Sequence, residues 1–335
     1  MQHAGEFQGE PSGDGLRERR LGCIVIPLPV SAIVPTSHRR DSLERTLASL
    51  EQQRLLPAEL IVIDASQDTD TRDMLRGFAG RLGYTVSLRW IAATSVGAAA
   101  QRNQGIAEST QPNVWFFDDD ILFEPECVER LWRAFDENSG LGGASAMISN
   151  QHYGSPGLVS RWMFRLMAGY ARESYAGKVI GPAVNLLPEQ RDDLPEAVPV
   201  EWLNLGCTMY RRAALPSPPF GGRFTGYSLM EDLALSLEVG KSWKLANVRT
   251  ARIFHDSQPG SHKSDVAAIA EMELLNRYYV MTEVLGRARP SDYLRLLVFE
   301  LFGLASGARN ALFGSRVWLE IRGKLRAARR LLRGQ

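Results

Sequence analysis

"WFFDDDILFEPE", residues 115–126, is the stretch on which the reading of the chain turns. An apolar aromatic run meets three consecutive aspartates, Asp118, Asp119 and Asp120, and an apolar pair follows directly. Three like charges side by side repel one another unless a divalent cation, a basic ligand or bulk water offsets them. The end of a buried-type strand is thereby marked as a charged site.

Upstream of that site, strand and helix patterns alternate. "CIVIPLPVSAIVP" (residues 23–35) is β-branched and broken by proline, a buried strand after an irregular extended piece. "TSHRRDSLERTLASLEQQ" follows with Leu43, Leu47 and Leu50 at helical spacing and with Thr36, Ser37 and Asp41 available as caps. "AELIVIDAS" is a second strand ending at Asp64, "DTRDMLRGFAGRL" a second helix and "TVSLRWIAA" a third strand. "SVGAAAQRNQGIAES" reads as a loop entering a small-residue helix, and "NVWFF" as the fourth strand, which runs into the aspartates. Strands alternating with helices predict a doubly wound, mostly parallel sheet with ligands at the carboxyl ends of the strands.

Downstream, "VERLWRAFDE" predicts a helix and "GGASAMIS" a strand, and residues 150–200 form a longer, aromatic-rich insertion. "VEWLNLGCTMYRRAAL" reads as a strand and a helix start. The glycine-rich "FGGRFTGYSLMEDLALSLEVG" then puts Glu231 and Asp232 at the opening of an apolar helix, and "KLANVRTARIFHD" is a last strand ending at His255.

Composition bounds the function. The 335 residues carry 39 Lys and Arg against 38 Asp and Glu, so overall charge gives no support to nucleic-acid binding. Cys23, Cys127 and Cys207 lack metal-type spacing and are too few to staple the chain, which makes a reducing compartment the expectation. Residues 1–22 read as a disordered lead-in without the apolar core of a secretory signal, and no run of about 20 apolar residues predicts a spanning helix.

The chemistry converges on carboxylates. Asp118 and Asp120, two apart at a strand end, can point to one site and suit Mg²⁺ or Mn²⁺ with positions open to substrate phosphates; an acidic turn or helix start is the plain alternative. Glu231 with Asp232 supplies a pair in which one member can act as a general base, or simply caps its helix. His255 is a structural histidine or a further ligand to a carboxylate-held metal.

The order of these motifs resembles the family 2 glycosyltransferases, with their GT-A-type fold, over about residues 30–255. "AIVPTSHRRDSLERTLASL", "LIVIDASQDTDT", "GAAAQRNQGI", "WFFDDDILFEPE", "NLGCTMYRRAAL" and "MEDLALSLEV" carry the resemblance, the fourth being similar to the D-x-D signature. It implies inverting, metal-dependent transfer of a sugar from a UDP-, GDP- or dTDP-linked donor to a saccharide, lipid-linked or other hydroxyl acceptor in glycoconjugate synthesis. On that basis Asp232 is the base and Glu231 its companion. Asp120 binds Mn²⁺ or Mg²⁺, Asp118 the metal or the ribose, and His255 is a further metal ligand. Pro35, Thr36, Arg39, Asp64, Arg102 and Asp119 belong to the nucleotide site, Arg102 beside the diphosphate. Ala65 stands where the family often has a second acid, and the segment from Ser37 to Arg40 departs from the usual asparagine or aspartate before arginine. A catalytically silent sugar-binding protein of the same fold and a nucleotidyltransferase are the alternatives; the second lacks its expected glycine-rich loop after the first strand.

The implied organisation is a GT-A-type domain over residues 23–256, with a nucleotide-binding half to about 125 and an acceptor half beyond it. Residues 257–335 form a polar loop, with His262 and Lys263, and a helical region. In that region Trp318, Ile321, Leu325 and Leu332 recur at helical spacing beside an arc of Arg322, Arg326, Arg329, Arg330 and Arg333. Such a helix suits an anionic membrane surface, or packs on the domain with a solvated basic face. The expected location is cytoplasmic, or peripheral at the inner face of a membrane. Trp162, Phe164 and Trp202 are candidates to stack on sugar rings or to fill core.

Overall fold

The strand that enters "VPTSH" lies at the middle of a ten-stranded sheet. The computed structural model of the chain describes residues 5–6, 27–66, 68–82, 86–154, 156–257, 265–310 and 314–333. Cys23, the start of the first predicted strand and the loop residues His262 and Lys263 lie outside them.

The first half contains β1 (Gly5–Glu6), β2 (Pro27–Thr36), α1 (Arg40–Glu51), β3 (Leu56–Asp64), α2 (Asp70–Leu82), β4 (Ser87–Ala92), α3 (Ala98–Glu108) and β5 (Asn113–Phe117). The second half continues with β6 (Ile121–Phe123), α4 (Cys127–Asp136), β7 (Leu141–Ile148), α5 (Leu158–Ala168), β8 (Val179–Ile180), β9 (Val184–Asn185), β10 (Ala197–Pro199), β11 (Cys207–Arg211), α6 (Glu231–Val239) and β12 (Lys244–His255). Strand order is β1-β4-β3-β2-β5-β11-β7-β12-β10, with β6 added beside β12 and a separate β8–β9 hairpin. Within the lead-in expected to be disordered, β1 pairs antiparallel with β4, whose free edge would otherwise leave backbone groups unpaired.

β2 pairs parallel with β3 on one side and with β5 on the other, and β3 pairs parallel with β4. The chain thus winds outward in both directions from β2, and the crevice at the carboxyl ends of β2 and β5 is a topological switch point. β11 runs antiparallel between β5 and β7. One sheet therefore passes through both expected halves.

The period of two along these strands feeds two cores. Ala32, Val34, Leu60 and Val62 pack with Leu43, Leu47 and Leu50 of α1 on one face; Ile33, Ile61 and Ile63 join residues of α3 and α6 on the other. Each of the three α1 leucines is fully buried, worth about 1.5–3 kcal/mol apiece relative to exposure. Trp202 belongs to the second core, its indole N–H donating to Leu186 O at 2.8 Å. Phe164 packs on a small satellite cluster with Met163, Met167 and Tyr175, whereas Trp162 is exposed.

Beyond β12, α7 (Val266–Tyr279) passes through a π-helical turn, and α8 (Pro290–Asn310) and α9 (Gly314–Leu332) follow. α9 lies along α7, and a side chain at Gly323 would overlap the carbonyl oxygen of Ala267, so glycine sets the closeness of the two helices. Buried Glu300 of α8 forms an ion pair with Arg277 of α7 and accepts from Lys324 of α9, tying the three together.

Candidate active site

Three chain segments converge on the switch point, two bearing acids and the third His255, and each is delivered for a local reason. Asp118 follows β5, where pairing of Cys207 with Phe117 lets the Asp118 N–H donate to Gly206 O at 3.2 Å. Asp120 sits between β5 and β6, and β6 pairs antiparallel with the end of β12, His255 lying opposite Ile121. Asp256 N–H donates to Asp120 O at 2.8 Å, so the histidine strand and the aspartate turn are stitched together. Glu231 and Asp232 open α6 after two non-glycine residues in left-handed conformation, Ser228 (φ +54°) and Met230 (φ +70°). Conformations of this kind cost about 1–3 kcal/mol each and persist where the surroundings enforce them.

Guanidinium groups hold the acids in place. Arg39, just after β2, donates to Asp119 Oδ1 and Asp120 Oδ2, both at 2.7 Å, while Thr36 Oγ1 donates to Asp119 Oδ2 at 2.7 Å. Arg102 of α3 donates to Asp118 Oδ1 at 2.7 Å and to Glu231 Oε1 at 3.0 Å. Its side chain is only 4% exposed, so this arginine is a buried strut between the aspartate turn and the α6 start, its two terminal nitrogens each held by a carboxylate. His255 Nε2 lies 3.3 Å from Asp120 Oδ1, and its Nδ1 meets the Gln151 side-chain amide at 2.9 Å. Asn150 brackets the His255 backbone, accepting from its N–H and donating to its C=O, both at 3.0 Å.

The electrostatics follow from burial and these partners. Burial raises the Asp119 carboxyl, to about 7, with Arg39 and Thr36 pulling the other way. At Asp120 burial is outweighed by hydrogen bonds from His255 and Arg39, which hold it at about 2. Glu231 and Asp232 are both raised, first by burial; the charge of Asp232 adds to this at Glu231, and Arg102 opposes it at each. Asp232 Oδ1 accepts from Leu233 N–H at 2.7 Å. The Tyr227 phenol is raised by burial and then by Asp118, Glu231 and Asp120, which puts its ring within electrostatic reach of the acids.

The remaining sequence-predicted positions frame this centre. Asp64 is buried at the end of β3, accepting from Ser66 N–H at 2.8 Å and Trp90 Nε1 at 3.0 Å. Pro35 is buried in β2 opposite Ile63. Of the three expected metal ligands, Asp120 and His255 are in contact and Asp118 is turned to Arg102. Among the described residues no three of His, Cys, Asp and Glu are gathered as a metal cluster.

Several positioning residues had no signal that singled them out. Gln101 donates to Thr36 O at 2.9 Å and Ile63 O at 2.7 Å, clasping the ends of β2 and β3. Its place beside Arg102 in "GAAAQRNQGI" was the available clue. Asn150 and Gln151 stand more than a hundred residues from His255 in sequence, and no local pattern links them.

Fold and site together define a GT-A-type architecture, and solved structures bear this out. Mannosyltransferase PcManGT from Pyrobaculum calidifontis, in complex with GDP-Man and Mn²⁺, superposes with a TM-score of 0.51 at 15% identity, covering 94% of this chain and 92% of that one. Residues 31–198, half of the chain, match the profile of glycosyl transferase family 2, and the chain belongs to that family. It is 32% identical over 114 residues to validoxylamine A glucosyltransferase of Streptomyces hygroscopicus subsp. limoneus, covering 32% of this chain and 24% of that protein. It is 29% identical over 114 residues to the poly(ribitol-phosphate) beta-N-acetylglucosaminyltransferase TarP of Staphylococcus aureus strain N315, covering 33% and 34%. The matched part thus spans about a quarter to a third of these curated relatives.

Proposed function

We propose that the chain is an inverting, metal-dependent glycosyltransferase that moves a sugar from a nucleotide-diphosphate donor to an acceptor hydroxyl. The observation that carries this is the Arg102 strut, which brings Asp118 of the D-x-D turn and Glu231 of the α6 start to one guanidinium. Two acid segments more than a hundred residues apart thereby face one crevice at the switch point.

Asp232 is the base. Burial raises its carboxyl from the usual aspartate range, which strengthens it as a proton acceptor while leaving it ionised near neutral pH. The Leu233 N–H fixes Oδ1, so the acceptor proton passes to Oδ2 as the hydroxyl oxygen attacks the anomeric carbon in line with the departing diphosphate. Glu231, held by Arg102, fixes the start of α6 and the direction of that base. Thr36, Arg39 and Asp64 line the nucleotide side, and Gln101 keeps the strand ends beneath it together.

The donor set fits a hard divalent cation: Asp120 and His255 are already in contact, and Gln151 can reverse its side-chain amide to accept from Nδ1–H and leave Nε2 free. Asp120 and His255 would hold the ion, with donor phosphate oxygens completing its shell, as Mg²⁺-type sites with few protein ligands do. When bound it offsets charge developing on the leaving diphosphate.

Thermal stability against UDP, GDP, dTDP and CMP, each with and without Mn²⁺, tests the reading. One diphosphate is expected to raise the unfolding midpoint only with metal, and Asp120→Ala to abolish that rise. Absence of any metal-dependent stabilisation would reject it. Slow hydrolysis of the matching sugar nucleotide without acceptor separates an enzyme from a silent binding protein.

A further inference from the structure

The outer surface of the C-terminal helices plays no part in the site described above. α9 buries Gly323 and Ala327 against α7 and turns Trp318 (71% exposed), Leu319 and Leu325 outward. Arg322, Arg326 and Arg329 are interleaved with these on the exposed side, lining with them a shallow groove of about 700 Å³. α8, which packs on α9, buries Asp292, Leu296 and Glu300 and exposes Leu294, Leu297 and Leu301, one turn apart. α5, which packs on α8, exposes Leu158, Val159 and Trp162, with Arg161 and Arg165 beside them.

Two features decide what such a surface fits. Among the described residues none of Arg161, Arg165, Arg322, Arg326 and Arg329 forms an ion pair, whereas both acids of α8 are buried and one of them, Glu300, is neutralised by Arg277 and Lys324. Half-buried Glu320 of α9 is the one further acid on these three helices, so the outward charge is predominantly positive. Large apolar side chains, two of them tryptophan, alternate with the arginines instead of forming a dry patch of the kind that protein interfaces bury at their centre. Indole rings and leucines enter an acyl boundary while long guanidinium side chains reach back to phosphate.

We propose that the exposed faces of α5, α8 and α9 form a seat for a membrane surface bearing anionic phospholipid headgroups. Among the described residues no helix is long and apolar enough to cross a membrane, so the helices lie on the surface rather than through it. The seat is independent of the transfer chemistry, and its test uses no sugar nucleotide.

The full chain is mixed with vesicles of phosphatidylcholine alone or with 30% phosphatidylglycerol, and the bound fraction is read by co-sedimentation at low and at physiological salt. Binding to the anionic vesicles is expected to exceed that to neutral ones at least about tenfold and to weaken as salt rises. Arg322→Gln/Arg326→Gln/Arg329→Gln should lower the partition coefficient on the order of 100-fold. Trp318→Ser/Leu325→Ser, Leu297→Ser/Leu301→Ser and Trp162→Ser should each lower it about tenfold or more, with unchanged unfolding midpoints because all these side chains face solvent. Equal affinity for both vesicles, no binding to either, or full binding by any of these variants would overturn the face as drawn. A lipid-free dimer in light scattering that Leu325→Ser dissociates would overturn it too, by assigning the surface to a second copy.

Discussion

Replacing Arg102 with methionine tests whether the strut holds the site together. The guanidinium is 4% exposed and donates at 2.7 and 3.0 Å to Asp118 and Glu231, whose side chains are 32% and 12% exposed. Removing one partner of a buried pair costs about 3–5 kcal/mol, because the other charge stays behind without compensation. Solvent takes up part of the loss at Asp118, which puts the expected value near the lower end, about 3 kcal/mol. The loss must also depend on pH. Without the cation the folded-state pKa values of Glu231 and Asp232, already raised by burial, rise further above their unfolded values, so the variant takes up protons on folding. Its deficit is largest at high pH and shrinks on acidification. Urea unfolding followed by tryptophan fluorescence at about pH 7.5 and 5.5 reads both quantities, the side chain of methionine filling the space of the arginine stem. A deficit below about 1 kcal/mol, or one equal at both pH values, would refute the strut.

The remaining predictions concern the acids directly. Asp232→Asn should lower kcat at least about 100-fold with nucleotide affinity unchanged, and near-normal turnover would disqualify it as the base. In the unaltered enzyme kcat/KM should rise with pH through about 6, where burial places the Asp232 carboxyl, and level off above; a flat profile from about pH 5 to 8 would count against the assignment. Asp120 is held down at about 2 against an ordinary 3.8, so it contributes stability above pH 4 that is lost as pH falls through 2, worth about 2 kcal/mol in full. The stability gap between the unaltered chain and Asp120→Asn should therefore narrow between about pH 5 and 3, by denaturant titration, and a constant gap would show that the ion pairs to Arg39 and His255 carry no such linkage.

How much of this was legible beforehand depends on the range of the interaction. Leu43, Leu47 and Leu50 at helical spacing, the β-branched run ending at Asp64, the aromatic run ending at Phe117 and the apolar strand ending at His255 announce their elements because side-chain periodicity is a local property. Alternation of those elements was enough for the parallel, doubly wound part of the sheet, β4-β3-β2-β5, and the order of motifs was enough for the family. The role of Arg102 was not legible. The sequence shows an arginine near a nucleotide-type loop; only the insertion of β11 beside β5, and the left-handed turn at Met230, bring Asp118 and Glu231 to it.

The same division holds at the two ends of the site and at the C-terminus. Trp162 and Trp202 look alike as aromatic residues in or near one insertion, yet packing buries one and leaves the other in solvent. The arginine and leucine arcs of α9 follow from sequence spacing, but that both face outward was settled by Gly323 meeting the backbone of α7. Local periodicity specifies what each segment is, since it depends on neighbours three or four residues away. Which charges meet, and which face stays wet, depends on residues brought together across a hundred or more positions by the closing of one sheet, and only the tertiary structure contains that information.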